Sequence, residues 1–254
     1  MKRLGAEDPR VRLEAAEALG AAEGPETSLV IEPLVQRFYD LEALVRQAAW
    51  QGLQRIGPQV VPALRALVER EGGTFGRHDP GARAQRLAVN LLGALTPMTD
   101  EAVALAADVC EKRTIHDVVR HDACVSLAQL GQQDARWHAQ AVRMLVQVFG
   151  ESDADVYLRT ELVDQLSGLG PDAETITAFS HALQDPEVFI RRAVAGALVG
   201  FGAAAQAALP ELQAAVRDAD SEVRASARRA IEHISRSGGQ SDGPSAQPIV
   251  ASAR

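Results

Sequence analysis

Apolar residues recur along this chain with the spacing of a helix face, in one pattern that returns seven times. The pattern reads Val-Arg-x-x-Ala-x-x-x-Leu-x-x-Leu-Gly. It stands as VRLEAAEALGAAE from Val11, VRQAAWQGLQRIG from Val45, AQRLAVNLLGALT from Ala84 and VRHDACVSLAQLG from Val119. LRTELVDQLSGLG from Leu158, IRRAVAGALVGFG from Ile190 and VRASARRAIEHIS from Val223 complete it. Successive copies start 34, 39, 35, 39, 32 and 33 residues apart. At about 100° per residue, positions 1, 5, 8 and 12 fall in a narrow arc. Nearly all are Val, Ile, Leu, Ala or Phe, so each copy predicts an amphipathic helix with one buried stripe.

Between copies lie second helical patterns: PETSLVIEPLVQRF, PQVVPALRALVER, TDEAVALAADVCEK, DARWHAQAVRMLVQVF, DAETITAFSHAL and QAALPELQAAVRD. Several open on Thr, Asp or Pro, as first turns prefer. Gly often follows the preceding helix, as helix ends prefer. The unit is a helix pair of about 35 residues, and no strand-like alternation competes with it. One pair cannot bury both its faces, so pairs must stack, which predicts an all-α solenoid over residues 1–235. The Gly-, Ser- and Pro-rich end then reads as a disordered tail, 236–254.

The two ends of the array differ from its middle. Only MKRLGAED precedes the first copy, so the stripe of Val11, Ala15, Ala18 and Leu19 is expected to need cover from a missing helix or another molecule. Position 6 is Ala16, Trp50, Val89, Cys124, Val163 and Ala195 in the first six copies but Arg228 in the last. A charge there suits a capping repeat.

The helix pair, the Asp-rich turns DPRVR, DPEVFIR and DADSEVR, and the Val-Arg start together resemble HEAT repeats, over roughly residues 8 to 235. The likeness is nearest to the short bacterial type associated with phycobilisome lyases. It implies a right-handed α-solenoid of about seven helix pairs, the first incomplete, with second helices lining a concave face. It also implies that an acid three places before position 1 (Asp8, Glu42, Asp155, Glu187, Asp220) joins the position-2 arginine to tie adjacent repeats. Those arginines are Arg12, Arg46, Arg120, Arg159, Arg191 and Arg224, with Gln85 in the third copy. A partly buried guanidinium needs such a carboxylate. The implied function is a non-enzymatic scaffold or adaptor for a protein partner; the alternative is a phycobilin lyase-like or other accessory subunit of an enzyme.

Exposed positions 3, 4, 7 and 11 of the second helices are the expected lining of that face. They include Glu14, Glu17, Gln51, Arg86, Asn90, His121, Asp122, Glu161, Asp164, Arg192 and Arg229. The signs are mixed, without the basic stripe or stacking aromatics that nucleic acid needs. Gly196 and Gly200 join the candidates, with Gly168 beside them. A mid-helix Gly costs about 1 kcal/mol relative to Ala, which points either to crowding between helices or to a groove where a partner backbone comes close. Tyr157 and Phe189, just ahead of position 1, either plug the gap between repeats or, if exposed, anchor a partner.

Composition narrows the rest. A formal charge of -8 disfavours nucleic acid and anionic membranes, and no stretch approaches 18 consecutive apolar residues, so no membrane insertion is expected. Cys110 and Cys124 are the two cysteines; they imply no disulfide framework and a reducing, cytoplasmic setting. Asp117, His121 and Cys124, with Cys110 nearby, are the one metal-capable spacing, but it lacks a paired CxxC or HxxxH. Glu161 and Asp164 as a carboxylate pair read better as solvated helix-face acids. GxSxG, GxxxxGK[ST] and HExxH are missing from the sequence. The expectation is no catalytic residue, no metal and no cofactor.

Overall fold

The computed structural model describes residues 2–70 and 79–238. Helix after helix begins where a short polar side chain satisfies an orphan backbone N–H. Asp8 accepts from Arg10 N ahead of α1 (Pro9–Gly20), and Asp79 from Gly81 N ahead of α5 (Pro80–Ala94). Thr99 accepts from Ala102 N ahead of α6 (Asp100–Glu111), and Asp134 from Arg136 N ahead of α8 (Ala135–Phe149). The other helices of this part are α2 (Thr27–Val35), α3 (Ala43–Ile56), α4 (Val61–Glu69), α7 (Asp117–Gln133) and α9 (Val156–Leu169). After them come α10 (Ala173–Ala182), α11 (Val188–Phe201), α12 (Leu209–Ala215) and α13 (Ser221–Gly238). The described residues are all-α, of the helical-repeat solenoid class, with no strand among them.

The chain divides between Leu169 and Gly170 into two compact units, a division that the even repeat spacing does not reveal. In the first unit, α1, α3, α5, α7 and α9 pack in succession, and α2, α4, α6 and α8 form a second layer against them. Positions 1, 5 and 9 build the shared core: Val45, Ala49 and Leu53, then Ala84, Ala88 and Leu92, then Val119, Ala123 and Leu127 are all buried. Small residues bring the backbones together. A Cβ added to Gly20 would lie 2.6 Å from Gly52 Cα, so α1 and α3 nearly touch there. In place of a first partner helix, the 3-10 turn Lys2–Gly5 buries Leu4, and Arg37 Nη1 donates to the Leu4 carbonyl at 2.6 Å. Ala15 and Ala16 are thereby buried while Ala18 stays exposed, so the first stripe is covered in part.

In the second unit α11 packs on α13 and α10 on α12, with Phe179 stacked on Phe201 at 5.9 Å between ring centroids. The run Val188–Ala215 is long and apolar enough, by length and composition, to cross a membrane. Here it is interrupted after Phe201, where Gly202 takes φ 54° and a 3-10 segment Gly202–Ala208 packs against α13. Helix α13 continues to Gly238, beyond the boundary at 235 read from composition, and the rest of the expected tail, 239–254, lies outside the described residues.

The position-2 arginines hold the turns together, by a different acid from the expected one. Arg12 donates from Nη1 to the carbonyls of Ala6 and Glu7, and from Nε and Nη2 to both carboxylate oxygens of Asp40. Arg191 does the same with the carbonyls of Asp185 and Pro186 and the carboxylate of Asp218. Arg46 and Arg224 grip the carbonyls of Asp40 and Leu41, and of Asp218 and Ala219. For Arg12 and Arg191 the acid that ties repeats therefore sits five places before position 1 of the following copy. Of the acids three places before, Asp8, Asp155 and Asp220 cap helix starts instead. Asp220 also accepts from Arg192, the position-3 arginine of the preceding repeat, rather than from a position-2 fork. In the fourth copy Arg120 is fully enclosed, donating to the Cys110 carbonyl and to Glu151 Oε2 at 2.9 Å.

The expectation of unbridged cysteines is corrected. Cys110 on α6 and Cys124 on α7 form a disulfide, with Cα atoms 5.4 Å apart. Both face the interior between paired helices, so packing brings together two thiols that are 14 residues apart in sequence.

Removing one partner of an enclosed ion pair leaves the other charge uncompensated, whereas exposed pairs contribute little. Glu151→Ala, which leaves enclosed Arg120 with the exposed Asp117 at 3.5 Å as its carboxylate, is expected to lower stability by about 3 kcal/mol. Asp153→Ala, which removes one of the two acids beside exposed Arg113, is expected to cost less than about 1 kcal/mol. Urea denaturation followed by circular dichroism checks the contrast.

Candidate functional site

Position 2 points inward, so the residues about half a turn around each second helix from it point outward. The residue just before position 1 starts that outward stripe, and positions 3, 4, 7 and 11 continue it. In the first unit this stripe carries Leu44, Val118 and Tyr157, which are 63%, 40% and 65% exposed. In the second unit the equivalent Phe189 is 60% exposed. Tyr157 and Phe189 therefore do not plug the gaps between repeats. In each of these copies position 1 is buried, at Val45, Val119, Leu158 and Ile190, which turns the residue before it to solvent. Leu44 and Val118 were missed from sequence, although they occupy the same place in the repeat.

Five of the predicted lining residues come together on α5, α7 and α9. Arg86 Nε donates to Asp122 Oδ2 at 2.7 Å, and Asn90 Nδ2 reaches the same oxygen at 3.3 Å. His121 Nδ1 lies 3.2 Å from Asp122 Oδ1, and its Nε2 lies 3.7 Å from Glu161 Oε2. The His121 ring stands 5.9 Å from the Tyr157 ring, and its Nε2 is buried without a hydrogen bond. Asp122 is buried, not exposed as its position implied, because side chains from two helices converge on it. Burial alone would raise the Asp122 carboxyl, but hydrogen bonds from His121 and Arg86 outweigh it and hold it below the usual carboxylate range. The hydrogen bond to Asp122, opposed by desolvation and aided by the charges of Asp122 and Glu161, raises the His121 imidazole above its ordinary value.

The other candidates stand apart. Glu14 is exposed and paired with Arg3 at 2.7 Å, while Glu17, Gln51 and Asp164 are exposed on their own helices. In the second unit Arg192 donates to Asp220 Oδ1 at 3.0 Å and lies 3.2 Å from Glu222. Its donation, with backbone N–H groups from Val223 and Glu222, pulls the Asp220 carboxyl down to about 2. Arg229 is exposed and donates to Ser226 Oγ at 3.0 Å. Gly196 and Gly200 have nothing within 4 Å of an added Cβ, so crowding does not explain them; at Gly168 the Gln132 side chain would lie 2.8 Å away.

Asp117, His121 and Cys124 do not converge. Cys124 is bonded to Cys110, Asp117 lies 3.5 Å from Arg120 Nη1, and His121 is turned to Asp122. Among the described residues no cluster of three or more His, Cys, Asp or Glu side chains has the geometry to hold a metal.

Residues 142–232, from within α8 to within α13, match the family model for HEAT repeats. The structure is similar to that of YibA of E. coli, with a TM-score of 0.52 and 16% identity, covering 89% of this chain and 78% of that one. It is also similar to a computationally designed armadillo repeat protein for modular peptide recognition. That likeness has a TM-score of 0.50 and 14% identity, over 87% of this chain and 98% of the other. These likenesses show the fold: an armadillo- and HEAT-type array of helix pairs. No curated protein matches the sequence.

Because folding raises the His121 value, its stabilisation is complete below the ordinary value of 6.5 and is lost as pH rises through the higher folded-state value. The stability gap between the native chain and His121→Gln is therefore expected to shrink between about pH 6 and about pH 9. Denaturation midpoints at the two pH values, with an NMR titration of the His121 ring, check the sign.

Proposed function

We propose that this protein is a non-enzymatic scaffold or adaptor that holds a protein partner on the outward stripe of its second helices. One observation carries the reading: Leu44, Val118, Tyr157 and Phe189 recur at a single place in the repeat and leave large apolar surface in water. Scattered exposed apolar residues need no explanation, but the same placement on several second helices, in each unit, fits surfaces covered by something else. Aromatic residues at such places are the usual anchors of protein interfaces. The polar groups between them suit complementarity rather than catalysis, since Asp122 is neutralised by Arg86 and His121 is held between two carboxylates.

The kinship in fold with a repeat protein designed for peptide recognition supports a peptide or protein occupant over nucleic acid or a bilayer. The charge of -8 agrees with that choice. No feature of the stripe favours the lyase-like alternative over a binding role.

Tyr157→Ser and Phe189→Ser both change exposed residues and are expected to leave the helical circular dichroism intact. Affinity capture from the native cell with the double variant is expected to recover the principal partner at least about tenfold less than the native chain does. Equal recovery of every partner by the well-folded double variant would contradict the reading.

A further inference from the structure

The face shared by α11 and α13 differs from the rest in charge and in relief. Phe189 opens the α11 stripe, and Gly196 and Gly200 continue it at seven and eleven residues' distance, with open space where side chains would stand. Across from them, α13 places Arg229 on the same stripe, an exposed cation in a chain whose net charge is -8. The acids of this face are already engaged: Asp220 and Glu222 pair with Arg192, and Glu232 pairs with Arg236 at 3.4 Å. Arg229, at the place in its repeat that Gly196 occupies in the preceding one, donates only to the neutral Ser226 hydroxyl among the described residues. No carboxylate lies within 4.0 Å of Arg229 among the described residues.

We infer that this face docks an acidic peptide segment of the protein partner, an inference that rests on the protein-binding reading above. Each part of the face meets one part of such a segment. Phe189 covers an apolar side chain. The absence of side chains at Gly196 and Gly200 lets a peptide backbone lie close on α11. The guanidinium fork of Arg229 presents parallel donors to a carboxylate, the planar acceptor that it fits best. Charge complementarity selects the sign of the occupant, and the glycine floor selects an extended segment over a bulky surface. A phosphate backbone would need cations continued along the stripe, but the neighbouring positions on α11 are Ala193, Gly196 and Gly200, with Arg192 already paired.

The test is selection of a displayed random library of peptides about twelve residues long on the full chain, followed by anisotropy titration of the enriched peptides. The enriched sequences are expected to be net acidic with at least one large apolar residue. Their affinity is expected to fall at least about tenfold in Arg229→Glu and in Gly200→Leu, with circular dichroism unchanged. Basic or neutral enriched sequences, no enrichment, or affinities unchanged in both variants would overturn the inference. So would tight binding of a single-stranded oligonucleotide that Arg229→Glu abolishes. Peptides that respond to Tyr157→Ser but not to Arg229→Glu would sink this inference while leaving the protein-binding reading intact.

Discussion

The turn that opens a second helix presents carbonyls and an aspartate that its own backbone leaves incompletely paired, and an arginine fork supplies the donors. Arg12 and Arg191 each reach two carbonyls of their own turn and the carboxylate of the next. The same aspartate meanwhile shapes its own turn, since Asp40 Oδ1 accepts from Glu42 N and Asp218 Oδ1 from Asp220 N. One guanidinium thus fixes the start of its helix and the distance to the neighbouring one. Arg120 and Arg159 use the same side chain differently, donating to the carbonyls of Cys110 and Phe149 ten residues earlier. The guanidinium's planar set of donors is what lysine lacks.

Fixing the turns has a consequence at the surface. Once position 1 is buried and position 2 is engaged, the residue before them has no interior to enter. Leu44, Val118, Tyr157 and Phe189 are exposed for that reason, although all four belong to residue types that favour burial. The polar cluster of Arg86, Asp122, His121 and Glu161 fills the space between neighbouring second helices on the same stripe. It links three successive repeats through side chains, as the arginines link them through turns.

Much of this was legible in the sequence. Period-3.6 stripes with helix-start and helix-stop residues specify helix pairs, and their return at near-constant spacing specifies a stack. The partner of Arg12 was misplaced because two acids flank the turn, and only the folded turn shows that Asp40 meets the position-2 fork while Asp8 caps its own helix. Asp122 was placed on the surface because position 4 is outward on an isolated helix; contact with α5 buries it. The disulfide escaped because Cys110 and Cys124 lie on different helices, and spacing along the chain does not report facing across a pair. The division at Leu169 also left no compositional mark.

The account stands on the fork of the position-2 arginines, and Arg191→Lys isolates it by keeping the charge while removing the planar donor set. Hydrogen exchange of the full chain reads the result residue by residue. The account predicts faster exchange at the turn from Asp185 to Glu187, at the turn from Asp218 to Asp220, and in the first turns of α11 and α13, with α3 and α5 unchanged. Unaltered protection at those turns would show that packing alone holds the repeats and that the arginine fork is incidental.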